Sequence, residues 1–140
     1  MSDSSRTPKQ VIRRYLDALL AGDVETVRDS FAVDATWTIH GDLPIAGPWH
    51  GRDRIVDDFL GAVGGSLFEA GSQAFEFPTM IAEGDTVALE WRVRARTARG
   101  ADYENAYCGI FVVRDGRIAV VREYLDSGYA ANVLFGRLAA

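Results

Sequence analysis

The sequence predicts an α+β fold: a curved antiparallel sheet wrapped by three helices, which would enclose a pocket on its concave face. Three observations predict it. Helical periodicity dominates the first 63 residues, strand-like alternation dominates from residue 67 to residue 125, and the chain of 140 residues is 48% hydrophobic and 25% charged. An order of helices first and antiparallel strands afterwards is typical of an α+β fold. A chain of 140 residues suits one domain with a single core.

The first helix is predicted to begin at Pro8, with Thr7 as its N-cap, and to run for about 14 residues until Gly22 ends it. Residues 1–8 before it are expected to be a flexible tail. Spacings of one, three and four residues place one apolar stripe on this helix: Val11, Ile12, Tyr15, Leu16, Leu19 and Leu20.

A second, short helix is predicted after Asp23, with Val24, Val27 and Phe31 on its inner side. Alternation over residues 35–40 predicts a strand, and residues 41–51, with two prolines, predict a loop. Helical spacing returns over 53–63, and Gly64-Gly65 is expected to end that helix.

The second half of the chain predicts strands near 67–77, 79–83, 86–97, 102–114 and 117–125. Glycine-containing turns separate the later strands at 83–85, 99–101 and 114–116. A last helical segment is expected to start near Ser127, and Asp126 is expected to cap it. Residues 9–136 therefore form the single predicted domain.

Charge and composition restrict the possible partners. The net charge is −5, and an acidic chain repels phosphate backbones, so we expect no nucleic-acid partner. No apolar run reaches the length of a membrane span and the first residues do not resemble a signal peptide, so no membrane association is expected. A single cysteine, Cys108, fits a reducing compartment, and a cytoplasmic location is predicted.

Alternation sorts the strand residues into two faces, but two accounts of these faces compete. On 87–97 one set is apolar and the other carries Glu90, Arg92, Arg94 and Arg96. In the first account the charged set is a solvated stripe. In the second, Glu90 and Arg92 point into a cavity with Glu123, while Trp91 and Val93 cover the other face in a dimer. Parity alone does not say which face is concave.

Three stretches carry a resemblance to a known superfamily: RRYLDALLAGDVETV (13–27), FAVDATWTIHGDLPIAGPWHGRDRI (31–55) and YCGIFVVRDGRIAVVREYLD (107–126). They resemble the nuclear-transport-factor-2-like superfamily, whose fold is a cystatin-like α+β roll. This resemblance implies a cone-shaped, curved antiparallel or mixed sheet that encloses a pocket. Its members include ketosteroid isomerases, limonene epoxide hydrolases and SnoaL-like polyketide cyclases. The resemblance covers nearly all of residues 9–136. It specifies the fold but not the reaction, because this fold hosts several activities and also non-catalytic binders.

Against ketosteroid isomerases, Tyr15 matches the oxyanion-hole tyrosine of the first helix. That resemblance implies a phenol that donates a hydrogen bond to a developing enolate oxygen. A tyrosine in the apolar core is the alternative. The two isomerase acids match Ile39 or His40 and a position near Gly109, so neither acid is present.

Against limonene epoxide hydrolases, Glu123 matches the last-strand acid, and Glu90 and Arg92 match an Arg-x-Asp pair in reversed order. The resemblance implies that Glu90, Arg92 and Glu123 converge in the pocket as catalytic residues. It also places Asn105, Tyr107 and Leu125 on the pocket face, in agreement with parity.

Against SnoaL-like cyclases, Glu123 or Asp126 matches an acid that acts as general base in an aldol closure, and we favour Glu123. Trp37, His40 and Phe59 are further candidates for binding substrate. The two histidines, His40 and His50, have no ligand set around them, so neither a metal nor another cofactor is expected.

These observations predict a cofactor-independent acid–base enzyme that acts on an apolar, oxygenated small molecule. Cyclisation, isomerisation or epoxide opening of a polyketide or terpenoid are the reactions implied by the resemblance. Glu123 would take a proton from carbon or water, and Arg92 would hold Glu90 and Glu123 ionised or bind an oxyanion. Tyr15 or Tyr107 would donate to a substrate oxygen. The alternative is a non-catalytic binding or assembly protein. A homodimer through the convex sheet face is expected in either case.

Overall fold

A computed structural model of the chain describes residues 5–136. Its centre is one mixed sheet with the strand order β2-β1-β6-β5-β4-β3. The pair β1–β6 is parallel and the other neighbours are antiparallel. The strands are β1 (Phe31–Ile39), β2 (Trp49–His50), β3 (Ala74–Glu83), β4 (Thr86–Arg96), β5 (Asp102–Arg114) and β6 (Arg117–Leu125).

The helices lie before β1, between β2 and β3, and after β6. They are α1 (Pro8–Ala21), α2 (Val24–Asp29), a π-helix (Arg54–Val63) that continues into α3 (Gly64–Leu67), and α4 (Ser127–Phe135). The predicted curved α+β roll is confirmed by this arrangement. Register shifts interrupt the ladders of β1, β3 and β5, and such irregularities bend a sheet.

Local signals place α1 as predicted. Thr7 Oγ1 accepts a hydrogen bond from the Gln10 amide, and the Gln10 side chain accepts one from the Thr7 amide, which forms a capping box. Gly22 ends the helix with a φ of 72°. Of the predicted tail over 1–8, residues 1–4 lie outside the described residues, and Pro8 is the first residue of α1.

Three predicted boundaries are wrong because distant contacts outweigh local signals. Phe31 begins β1 instead of closing α2, since it pairs with Ile118 of the parallel strand β6. The helix after residue 53 continues beyond Gly64 to Leu67. The two strands predicted over 67–77 and 79–83 are one strand, β3, whose ladder to β4 is interrupted around Pro78.

The core lies between the concave face of the sheet and the helices. An aromatic cluster forms its centre: the Tyr15 ring meets Phe31 edge-on at 5.3 Å, and the Trp37 ring lies 6.0 Å from Phe111. All four side chains are buried. They pack α1 against β1 and β5, which places Tyr15 of α1 above the strands that carry the candidate site.

An arginine attaches the π-helix to α2. Arg28 Nη1 donates to Asp53 Oδ1 at 2.7 Å, and Arg28 Nη2 donates to Asp57 Oδ1 at 2.6 Å. The pair of hydrogen bonds keeps the π-helix over the concave face, where Phe59 and Leu60 reach the cavity described below. Within residues 5–136, no helix is long and apolar enough to cross a membrane.

Candidate active site

A cavity of about 340 Å³ lies between the concave face of the sheet and the helices. This volume lies at the lower end of the range for small-molecule pockets. Its walls are mainly apolar and aromatic. Among the described residues that line it, Glu123 is the only charged side chain, and the other main polar groups are Tyr15, Gln73, Tyr107 and the indoles of Trp37 and Trp91.

Glu123 lies in the middle of the concave face. It pairs with Gly109 of β5 and with Ile39 of β1, and it is buried. Trp37 Nε1 donates to Glu123 Oε1 at 3.1 Å, and no other hydrogen bond reaches this carboxylate from residues 5–136. Burial raises the pKa of Glu123 to about 7, although the hydrogen bond from Trp37 opposes the increase. A carboxyl group with this pKa exchanges protons readily near neutral pH.

Two phenols face the same cavity as Glu123. Burial raises the pKa of Tyr15 and of Tyr107, and the negative charge of Glu123 raises both further. Both side chains therefore stay protonated and can donate hydrogen bonds. The expected placement of Tyr15, Trp37, Phe59, Tyr107, Leu125 and Glu123 around one pocket agrees with the structure, whereas their roles stay predictions.

The predicted convergence of Glu90 and Arg92 with Glu123 is wrong. Both side chains are exposed on the outer face of β4, and neither lines the cavity. The opposite face of β4 carries Val87, Leu89, Trp91 and Val93, and the last three line the cavity. Burying this apolar set is favourable, whereas burying the charged set would have cost several kcal/mol for each charge.

The prediction that Arg92 holds Glu90 and Glu123 ionised is therefore wrong, because only Glu123 of the three lines the cavity. Desolvation raises the pKa of Glu123. Neither the second carboxylate nor the guanidinium reaches the cavity.

Other candidates also lie elsewhere. His40 is exposed and its ring stacks on Tyr124 at 4.5 Å, outside the cavity lining, so its predicted position in the pocket is wrong. Asn105 is buried on the inner side of β5 but binds protein groups behind the cavity wall. Asp126 accepts a hydrogen bond from the Tyr129 amide and caps α4, as expected.

The account that points Glu90 and Arg92 inward placed Trp91 on a dimer face, and Trp91 was missed as a pocket residue. The Trp91 ring stacks on Tyr107 at 5.3 Å and extends across Gly109. A Cβ atom built on Gly109 would lie 2.8 Å from the Trp91 ring and 2.7 Å from Phe111, so only glycine leaves room for both rings. Trp91 is the cross-strand partner of Tyr107, and cross-strand partners share a face of the sheet. The prediction that Tyr107 faces the pocket therefore also implied that Trp91 faces it.

Residues 5–136 bring together no group of three or more His, Cys, Asp or Glu side chains that could hold a metal ion. The chemistry derived below uses only Glu123 and the hydroxyl groups of the cavity.

Comparison with known proteins assigns the family. The SnoaL-like domain model matches residues 12–121, which is most of the chain. The chain belongs to the SnoaL-like domain family. The matched range contains Tyr15, Trp37 and Tyr107, and ends two residues before Glu123. No match is found among curated proteins.

Solved structures share the fold of this SnoaL-like chain. An NTF2-like protein from Burkholderia thailandensis is 23% identical with a TM-score of 0.81, and the match covers 91% of this chain and 97% of that one. A protein assigned as a SnoaL-like polyketide cyclase from Jannaschia sp. CCS1 is 14% identical with a TM-score of 0.76, covering 94% and 93%. A limonene-epoxide-hydrolase-like (LEH-like) epoxide hydrolase from M. tuberculosis is 22% identical with a TM-score of 0.69, covering 90% and 87%. At these identities the likeness shows the fold alone.

The hydrogen bond from Trp37 gives a first testable prediction. Replacing Trp37 with phenylalanine removes the donor that stabilises the charged carboxylate, so the pKa of Glu123 is expected to rise above its value of about 7. A hydrogen bond to a charged group contributes about 1.5–3 kcal/mol, which corresponds to an increase in the pKa of about 1–2. Carbon-13 NMR titration of the labelled Glu123 carboxyl measures it. Trp49→Phe is the matched control, because Trp49 Nε1 donates to the Ile45 carbonyl instead. Equal titration curves for the two variants would contradict the assigned contact.

Proposed function

We propose that this SnoaL-like chain is a cofactor-independent acid–base enzyme that moves a proton at a carbon next to a carbonyl group in an apolar small molecule. One observation supports the proposal most strongly. Within residues 5–136, one buried carboxyl group, with a pKa raised to about 7, faces an apolar cavity that can hold a ligand. A base whose pKa lies near the working pH is ionised often enough to accept a proton and basic enough to remove one.

The reaction can be written with groups that line the cavity. The Glu123 carboxylate removes a proton from the carbon, the electron pair of that C–H bond forms a C=C bond to the carbonyl carbon, and the π pair of the C=O bond moves to the oxygen to give an enolate. A tyrosine hydroxyl donates a hydrogen bond to this oxygen. Protonated Glu123 then returns the proton to the same carbon, which exchanges its hydrogen, or to another carbon conjugated with the enolate, which isomerises the ligand. Alternatively, the enolate carbon attacks a second carbonyl carbon of the same molecule. The new C–C bond closes a ring, the π pair of the attacked C=O bond moves to its oxygen, and protonated Glu123 gives its proton to that alkoxide and becomes a carboxylate again.

Epoxide opening is less well supported than proton transfer at carbon. Epoxide opening as the resemblance to limonene epoxide hydrolases implies it needs two acidic groups in the pocket. One takes a proton from water, and the other protonates the epoxide oxygen. Among the described residues only Glu123 supplies an acid there, because Glu90 and Arg92 lie on the outer face. A single base and a phenol donor meet the needs of enolisation more completely.

The cavity also restricts the substrate. Aromatic and aliphatic walls favour an uncharged, mainly apolar molecule, and the Glu123 carboxylate repels an anion. The ligand needs at least one oxygen that can accept a hydrogen bond. Polyketide and terpenoid ketones meet these requirements.

The test uses 2-tetralone, an uncharged ketone with acidic hydrogens next to its carbonyl group. In deuterated buffer, the protein is expected to accelerate the exchange of these hydrogens, followed by proton NMR, with a half-maximal rate near the Glu123 pKa of about 7. Styrene oxide is incubated in parallel. Binding of the ketone without exchange would support a binding protein instead, and diol formation from the epoxide would support a hydrolase.

The outer face of the sheet supports a homodimer as part of this proposal. Ile81, Ala88 and Ile110 lie in one row across β3, β4 and β5, next to Glu90 and Arg92. A face with apolar groups and both signs of charge can meet a copy of itself about a two-fold axis. Ile110→Glu is expected to convert the dimer to a monomer in sedimentation velocity. Leu20→Glu, an exposed residue of α1, is expected to leave it dimeric. A monomeric wild-type protein would contradict the dimer.

A further inference from the structure

A chain of hydrogen bonds leads from the end of β6 to the cavity wall. Its members are Asn105, Tyr103 and Tyr107, three residues of β5 that share the concave face. Asn105 and Tyr103 are buried, and Tyr107 lines the cavity. The mechanism above needs one hydroxyl donor, and Tyr15 and Tyr107 both compete for that role. The direction of the hydrogen bonds in this chain decides between them.

The orientation of the Asn105 amide is determined by its partners. Its Oδ1 accepts a hydrogen bond from the Ala106 amide at 2.8 Å, and its Nδ2 donates to the Asp126 carbonyl oxygen at 3.2 Å. A backbone N–H only donates and a carbonyl oxygen only accepts, so the side chain cannot be flipped. The second Nδ2 hydrogen therefore points at Tyr103, whose hydroxyl oxygen lies 2.9 Å away and must accept it.

The Tyr103 hydroxyl then has one hydrogen to place. Within residues 5–136, its other hydrogen-bond partner is the Tyr107 hydroxyl, 2.5 Å away. If Tyr107 donated to Tyr103, the Tyr103 oxygen would accept twice and its own hydrogen would be buried without an acceptor, which costs about 1–3 kcal/mol. If Tyr103 donates to Tyr107, every polar atom of the chain is satisfied. The hydrogen of Tyr107 then remains available to a ligand.

We propose that Tyr107 donates the hydrogen bond to the ligand oxygen, and that Tyr103 and Asn105 are positioning residues that keep its hydrogen directed toward the cavity. The assignment rests on the proposed function, because it names the oxygen donor of that same site. Hydrogen bonds in series polarise one another, so the Tyr107 hydroxyl is a stronger donor than an isolated phenol. Stacking on Trp91, with 4° between the ring planes, holds the Tyr107 ring in place.

The position of Tyr107 relative to Glu123 suits the reaction. Tyr107 pairs with Leu125, and Gly109, two residues along β5, pairs with Glu123. Tyr107 and Glu123 are thus diagonal neighbours on one face, with Cβ atoms about 7–8 Å apart in such pairs. Both side chains line the cavity, and the charge of Glu123 contributes to the raised pKa of Tyr107, so one ligand can contact both groups. The Tyr15 hydroxyl, in contrast, has no hydrogen-bond partner within residues 5–136 to direct its hydrogen.

The test reads the hydrogen bond directly, by infrared spectroscopy of 2-tetralone labelled with carbon-13 at its carbonyl group. Binding to the wild-type protein is expected to shift the carbonyl stretch to lower wavenumber. Tyr107→Phe is expected to abolish this shift and to lower kcat for exchange by about 10²–10³-fold with little change in KM. Tyr129→Phe is the matched control, because that hydroxyl accepts a bond from the Glu104 amide outside the chain of three. It is expected to keep the full shift.

Two variants test the positioning residues without removing Tyr107. In Asn105→Asp, a carboxylate oxygen replaces the donor and accepts the Tyr103 hydrogen, so Tyr107 must donate to Tyr103 and the shift is expected to disappear. Tyr103→Phe provides a second variant if the aspartate impairs folding. It removes the bond that polarises Tyr107, and a smaller shift is expected.

Three results would overturn the assignment. The first is a carbonyl shift that survives Tyr107→Phe but is lost in Tyr15→Phe. The second is an unchanged carbonyl shift in Asn105→Asp or Tyr103→Phe. The third is a wild-type protein that does not bind the ketone, or binds it without shifting its carbonyl band. The spectrum requires binding only. A shifted band without hydrogen exchange would therefore reject the proposed reaction and retain Tyr107 as the donor, whereas exchange without a shifted band would reject Tyr107 alone.

Discussion

Replacing Glu123 with glutamine is expected to lower the rate of ketone hydrogen exchange by about 10²–10⁴-fold, because general base catalysis contributes that much. The amide has nearly the shape of the carboxyl group, and its oxygen can still accept the hydrogen bond from Trp37 Nε1. Binding of 2-tetralone should therefore persist while exchange is lost. The rate is measured by proton NMR in deuterated buffer, and binding by calorimetry.

Glu90→Gln is the matched control for this loss. It makes the same chemical change on the opposite, outer face of the sheet, where the side chain is exposed and does not line the cavity. Its exchange rate is expected to stay close to that of the wild type. If Glu123→Gln retained activity, Glu123 would not be the base. If Glu90→Gln abolished hydrogen exchange, the catalytic site would lie on the outer face of the sheet and not in the cavity.

The second large effect is expected in the pH dependence of stability. The pKa of Glu123 is about 7 in the folded protein and has its ordinary value of 4.5 when the chain unfolds. Between these values the folded state holds the proton and the unfolded state has released it, so the free energy of unfolding falls as the pH rises. The contribution of Glu123 is fully present below the lower pKa and is lost by the time the pH passes the upper one. This difference corresponds to about 3 kcal/mol.

Denaturant titrations of the wild type and of Glu123→Gln measure this effect across the same pH range. Glutamine does not titrate, so the variant is expected to gain stability relative to the wild type as the pH rises, by about 3 kcal/mol in total. Glu90→Gln should follow the wild-type curve within about 0.5 kcal/mol. Parallel curves for the wild type and Glu123→Gln would mean that the folded environment does not raise the pKa of Glu123. The same desolvation that makes the carboxyl a base at neutral pH makes it a cost to stability.

Elements whose signals are local could be predicted from the sequence. The capping box at Thr7, the glycine turns and the Asp126 cap each depend on residues within three or four positions of one another. The resemblance extended this to the fold as a whole, and to Glu123 as the inward acid. Alternation also grouped Asn105, Tyr107 and Leu125 on the correct face, because the two-residue period of a strand is local.

The resemblance assigned the wrong face of β4 to the pocket, and one feature of the sequence spoke against that assignment. The expected pair appears here in reversed order, as Glu90 and Arg92, so its match to an inward pair needed an exchange of residue types. The free energies of burial favoured the opposite face of β4 as the inward one. Each large apolar side chain buried contributes about 1.5–3 kcal/mol, whereas each buried charge costs several kcal/mol. With Val87, Leu89, Trp91 and Val93 on one face, burial of that face was the stronger expectation from the residues.

The pattern of residues along the chain was sufficient for the order of helices and strands, the position of most turns and the two faces of each strand, because these depend on near neighbours. Which face is concave, where β1 begins and which groups meet around Glu123 required the folded structure. Those features depend on pairings such as Phe31 with Ile118 and Trp37 with Glu123, which join residues more than eighty positions apart. Only packing of the whole chain removes the water around Glu123, and that desolvation is what turns an ordinary glutamate into a candidate base.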